Sequence, residues 1–207
     1  MADLPNAVSG KVLSADGTPI AWSRQGSGPP LAIVGPMLAH RSSPATAVLA
    51  DLLAQNHTVY TYDRRGVGES GMGEEYTAES DVDDLLAVLQ VAGGSADLYG
   101  FDDGAFLALR AAEESTVVTR VVALEPTLSV AEGEDELMVV QTEIEGLGGV
   151  GIPVLILAGS ASGDKTQDLA RRAAEALDSG EFRLLEGDVR STPDSALAQA
   201  IDSFLRQ

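Results

Sequence analysis

The chain has 207 residues, 44% of them hydrophobic, and carries 13 Lys and Arg against 32 Asp and Glu for a formal net charge of -19. That length suits one α/β domain with a single sizeable core, and the charge repels phosphate backbones and anionic headgroups, so neither nucleic acid nor a membrane is expected as a partner. With no cysteine, disulfides, thiolate metal sites and a cysteine nucleophile are excluded.

Taken in chain order, Met1–Gly10 lacks the basic and apolar regions of a signal peptide, and no apolar run approaches the roughly 20 residues needed to span a bilayer. A soluble, cytoplasmic protein is expected. Lys11–Ser14 and Ile20–Gln25 flank the turn-forming Asp16-Gly17-Thr18-Pro19, which reads as an antiparallel hairpin opening the sheet. Parallel strands are expected at Leu31–Val34, Thr58–Tyr62, Ala96–Tyr99, Val117–Leu124, Pro153–Ala158 and Phe182–Leu185, apolar enough to be buried on both faces. Between them, Ser43-Pro44 suits the start of a helix to about Gln55, and Val82, Leu85, Leu86 and Leu89 share one helical stripe. Further helices are expected over Gly104–Glu114, Glu134–Glu145, Thr166–Leu177 and Asp194–Leu205. The alternation predicts a mainly parallel sheet of about eight strands with helices on both faces.

Two segments carry a family resemblance. Asp63-Arg64-Arg65-Gly66-Val67-Gly68-Glu69-Ser70 resembles the D-x-R-G-x-G-x-S loop of α/β-hydrolases. Gly100-Phe101-Asp102-Asp103-Gly104, between a strand and a helix, sits in the context of their G-x-S-x-G nucleophile elbow. Gly26-Ser27-Gly28-Pro29-Pro30, Gly93-Gly94-Ser95 and Leu124-Glu125-Pro126 extend the likeness to small bacterial members over nearly the whole chain. The resemblance implies one α/β-hydrolase domain over residues 1–207, with the helical lid shortened to about residues 127–151.

It also implies a site, and here the sequence departs from the pattern. Asp102 stands where the nucleophile belongs. The loop Leu185–Pro193, where the catalytic histidine is expected, contains none; Arg190 or a neighbour occupies that slot, and a guanidinium is no base near neutral pH. In the loop Gly159–Asp164, Ser162 lies nearest the acid position, and Asp164 either pairs with Arg190 or serves a helix start. The oxyanion loop corresponds to Val34-Gly35-Pro36, and proline has no N–H to donate; a one-residue shift would substitute Met37. A reduced lid leaves the site open or covered by a partner subunit, as in a homodimer.

Asp102 is therefore the first candidate for catalysis, against the alternative that it only caps the following helix. His40 is the second, as the one imidazole near the site mouth, against a loop histidine bonded to backbone; the other of the two histidines, His57, precedes a strand and reads as structural or exposed. Asp103, Pro36, Met37, Phe101, Glu125 and Arg190 are the expected substrate-binding residues, while Asp63, Arg64 and Arg65 read as ties within their loop and Trp22 as packing. No cofactor is implied, because the glycines at Gly100 and Gly104 lack dinucleotide-fingerprint spacing. The expected function is acid–base cyclisation, isomerisation, epimerisation or elimination on a polyketide- or peptide-like substrate. The alternatives are a non-catalytic binder of a small molecule or peptide, and an Asp102-nucleophile dehalogenase or epoxide-opening enzyme assisted by His40.

Overall fold

Strands β1 (Val8–Leu13) and β2 (Pro19–Gly26) form the expected antiparallel hairpin. Its turn closes because Asp16 Oδ1 accepts the Thr18 N–H at 2.8 Å while Gly17 adopts φ 84°. The computed structural model describes residues 8–127, 142–188 and 194–207. Beyond the hairpin come β3 (Pro30–Val34), β4 (Thr58–Tyr62), β5 (Ala96–Phe101), β6 (Val118–Leu124), β7 (Val154–Gly159) and β8 (Gly180–Leu185). All eight join one sheet in the order β1-β2-β4-β3-β5-β6-β7-β8, parallel from β4 onward.

Among the described residues, helices α1 (Pro44–Leu53), α2 (Ala78–Val91), α3 (Asp103–Glu114), α4 (Asp164–Glu175) and α5 (Asp194–Leu205) cover it. The period-two alternation of the strands divides their apolar side chains between two cores. Ala32, Val34 and Leu98 pack under α2, α3 and α4, whereas Leu31, Ile33 and Tyr99 pack under α1 and α5. This two-sided burial explains why the central strands read as continuous apolar runs.

The direction in which parallel strands are added to the sheet reverses at β3, which has β4 on one side and β5 on the other. In open α/β sheets such a switch point leaves a crevice at the carboxyl ends of the strands, here between the segments leaving β3 and β5.

Local chemistry refines several expectations. Ser43 does occupy the N-cap of α1, but its hydroxyl pairs with Thr46 Oγ1 at 2.8 Å rather than with a helix N–H. The better cap is at α2, where Thr77 and Ser80 form a reciprocal capping box. His57 is structural: it is buried, with Nε2 3.1 Å from Asp202 Oδ1, tying the start of β4 to α5. Trp22 packs in a tilted contact with Tyr60, ring centroids 6.2 Å apart. Of the helix expected over Glu134–Glu145, residues 142–146 are helical and lead into a 3-10 turn at Leu147–Gly149. Residues 128–141 of the lid interval lie outside the described residues. Among the described residues no helix is long and apolar enough to cross a membrane.

Candidate active site

The turn from β5 into α3 is tight because two glycines let the strand and the helix cross in contact. A Cβ on Gly100 would lie 2.5 Å from the Gly104 carbonyl oxygen, and one on Gly104 would lie 2.4 Å from that of Val34. Between them Asp102 has φ 58° and ψ -134°, a conformation that L residues rarely adopt. Backbone bonds hold it there, with Asp102 N–H donating to the Leu124 carbonyl at 3.1 Å and Ala105 N–H donating to the Asp102 carbonyl at 3.1 Å. The Asp102 side chain makes no capping bond to α3. It is exposed and accepts a hydrogen bond from the Thr127 hydroxyl.

Asp103 points elsewhere. Its two carboxylate oxygens each lie 3.2 Å from the Met37 N–H, and Arg64 Nη1 donates to Oδ2 at 2.5 Å. Pro36 supplies no N–H and accepts from Ala39 N–H at 2.9 Å in a turn. The next amide after Pro36 is that of Met37, and the Asp103 carboxylate already takes it. An aspartate therefore takes up the amide that the sequence offers in place of the Pro36 donor.

Behind Asp103, Arg64 is buried and donates to Asp81 through Nε at 3.2 Å and again through Nη2. Burial is the largest single influence and opposes its charge, but the Asp81 hydrogen bond and the fields of Tyr62, Asp81 and Tyr76 together outweigh it and raise its pKa above the ordinary arginine value. Tyr76 donates to Asp81 Oδ2 at 2.6 Å and accepts from Arg64 at 2.9 Å. Burial, followed by the Asp81 hydrogen bond, pushes its phenol up to about 12, so at neutral pH it is a donor and not a base. These groups form one wall of a cleft of about 250 Å³ whose apolar side includes Met37, Phe106 and Leu107. Arg110, clasping Glu143, also lines it, as does Thr127, whose hydroxyl reaches Asp102.

The alpha/beta hydrolase family model matches residues 26–205. This chain belongs to that family. No curated protein matches it in sequence. Among solved structures, an alpha/beta hydrolase from Sphaerobacter thermophilus is 28% identical, with 95% of this chain and 100% of that one covered and a TM-score of 0.81. An esterase from Pyrococcus furiosus is 15% identical over 99% of this chain and 91% of its own, with a TM-score of 0.80. The enol-lactonase from Burkholderia xenovorans is 15% identical over 96% and 100%, with a TM-score of 0.78. The last two show a shared fold alone.

Within this alpha/beta hydrolase fold the other expected site residues scatter. His40 is exposed, and its Nδ1 would lie 3.0 Å from a Cβ placed on Gly68, so the ring sits over the Asp63–Gly68 loop and not among the residues lining the cleft. Phe101 stacks on Tyr99, centroids 5.8 Å apart, and joins the core under α1 and α5. Glu125 is buried with φ 45°; its Oε1 accepts the Gly159 N–H at 2.9 Å and the Ser162 hydroxyl, fastening β6 to the loop after β7. Asp164 begins α4, where the dipole favours a carboxylate. Arg190 lies outside the described residues. Asp63 and Arg65 do knit their loop, Asp63 accepting the Arg41 N–H at 2.7 Å and Arg65 clasping Asp84 at 2.8 Å. Among the described residues no cluster of His, Asp and Glu is arranged to hold a metal.

Thr127, Tyr76, Asp81 and Arg110 are site residues that sequence reasoning missed. Thr127 alone left a signal, as a polar residue just past the carboxyl end of a strand adjacent to the elbow strand.

Proposed function

We propose that this alpha/beta hydrolase family member catalyses proton transfer on a small polyketide- or peptide-like substrate and no hydrolysis. Asp102 takes a proton from a substrate carbon, the C–H electron pair moves into the substrate's π system, and the proton is returned at another position or face. Isomerisation or epimerisation follows directly; cyclisation or elimination follows when the new electron pair closes a ring or expels a leaving group.

The observation that carries this reading is the strained elbow retained around an exposed carboxylate. Strain of that kind costs about 1–3 kcal/mol and persists where a site requires it. Hydrolysis fits poorly, because Asp103 occupies the Met37 N–H and the two histidines are placed elsewhere, His40 over the Asp63–Gly68 loop and His57 against α5. The same placement of His40 weighs against a covalent Asp102 ester, which needs an activated water for its release.

The test is incubation of the protein in D2O with a metabolite extract of its native host, followed by mass spectrometry. Wild type is expected to add deuterium to one bound species, and Asp102→Asn to leave it unlabelled. A ligand retained unlabelled by both proteins would instead favour a binding protein, a reading to which the occupied Met37 amide also lends support.

A further inference from the structure

Among the described residues two that are not glycine have positive φ, Asp102 at 58° and Glu125 at 45°. They stand on neighbouring strands. Phe101, the last residue of β5, pairs in register with Leu124, the last of β6, so each strained residue is the first step beyond its strand. The two exits are stitched together, the Asp102 N–H donating to the Leu124 carbonyl at 3.1 Å and the Thr127 N–H to the Asp102 carbonyl at 3.3 Å. Strain at an L residue persists where its surroundings over-determine it. Joining β6 to β7 does not require it at Glu125, because the Glu125 N–H already donates to the Leu157 carbonyl at 2.8 Å. The side chain adds a second tie. Its carboxylate is buried, and Oε1 accepts both the Gly159 N–H at 2.9 Å, at the end of β7, and the Ser162 hydroxyl in the loop beyond. Pro126 comes next, with φ fixed by its ring and a restricted residue before it, so few free rotations separate Glu125 from Thr127. Thr127 is the residue whose hydroxyl donates to Asp102 Oδ1.

We infer that Glu125 is a positioning residue for Asp102. Anchored to the end of β7, it aims the Pro126–Thr127 segment so that the Thr127 hydroxyl holds the Asp102 carboxylate in one orientation. The inference rests on the proton-transfer reading for what Asp102 does and adds what aligns it. Asp102 is exposed and makes no capping bond to α3, so without the Thr127 hydroxyl its carboxylate turns freely about the side-chain bonds. A base held in line with the C–H bond it attacks gains rate without tighter binding.

The test reads side-chain rotamers and deuterium exchange on the same proteins. Three-bond 13C and 15N couplings across χ1 of Thr127 and Asp102 distinguish one fixed rotamer from averaging. Wild type is expected to show a single rotamer at both residues. Glu125→Gln should retain it, because the amide oxygen still accepts from Gly159 and Ser162, whereas Glu125→Ala should average both. Ser162→Ala, which removes one donor and leaves the strained backbone untouched, should average them in part and decides the matter where Glu125→Ala fails to fold. In the D2O incubation Glu125→Ala is expected to slow deuterium incorporation at least tenfold and Glu125→Gln less than twofold. A tie that is only structural would lower stability and leave both couplings as they are. That result, averaged couplings in wild type, averaging in Glu125→Gln, or undiminished exchange in a variant whose Asp102 averages would overturn the inference. Because the couplings are read without turnover, the two readings fail separately. Couplings that respond as expected in a protein that exchanges no deuterium sink proton transfer alone, and exchange by a wild type whose couplings ignore Glu125 and Ser162 sinks the positioning role alone.

Discussion

Asp102 combines a backbone conformation suited to glycine with a side chain that contributes one hydrogen bond to the fold. Replacing it with glycine removes the clash between Cβ and the backbone at positive φ. Asp102→Gly is therefore expected to raise stability by about 1 kcal/mol in urea denaturation while eliminating deuterium exchange, the trade expected of a strained functional residue. Thr127→Val should lower kcat with little change in KM. Losing a hydrogen bond to a charged group costs about 1.5–3 kcal/mol, and here that bond orients the base; an unchanged kcat would remove Thr127 from the site. Arg64→Met tests the wall. It leaves the buried Asp81 unpaired, and breaking a buried pair costs about 3–5 kcal/mol. The glycine spacing made Asp102 legible in the sequence. The Asp103–Met37 contact was not, because it joins residues 66 apart through the relative placement of two loops.

The secondary elements were largely legible, since the central strands are short, mostly apolar runs bounded by turn residues and α2 carries one apolar stripe. What the pattern could not reveal is how closely elements approach. Gly104 packs α3 against the end of β3, where an added Cβ would stand 2.4 Å from the Val34 oxygen and 2.6 Å from the Gly35 oxygen. Backbone atoms cannot swing aside as a side chain can. Gly104→Ala should therefore cost about 3 kcal/mol, the upper range for overpacking, and displace Met37, visible as a shifted amide resonance. A variant of wild-type stability with an unmoved Met37 amide would show that the crossing tolerates separation.

At the scale of the whole molecule, the alternation of strands and helices pointed correctly to an α/β fold, because it is a property of the entire chain. The pairing of remote polar groups was less accessible, as His57 shows: it precedes β4 in sequence, yet is buried against Asp202 in the last helix, with Asp97 and Arg206 contributing to its field. Burial dominates and lowers its pKa, the Asp97 carboxylate opposing it. The unfolded chain takes up this proton near pH 6.5, while the folded protein resists it, so the unfolded state binds more protons just below that pH. Stability is thus fully present above about pH 6.5 and falls as the pH drops toward the lowered folded-state value. Two other effects run the opposite way on acidification. Repulsion arising from the net charge of -19 is relieved, and Asp97, whose pKa burial raises, takes up its proton earlier in the folded state than in the unfolded one. Thermal unfolding from pH 7.5 to 5.5 in 0.5 M NaCl, where surface repulsion is screened, should therefore be compared between wild type and His57→Gln. The wild type is expected to lose more stability across that range than the variant does. Parallel curves would mean that the folded protein accommodates the His57 proton as readily as water does, and that the Asp202 contact is strong enough to offset the burial.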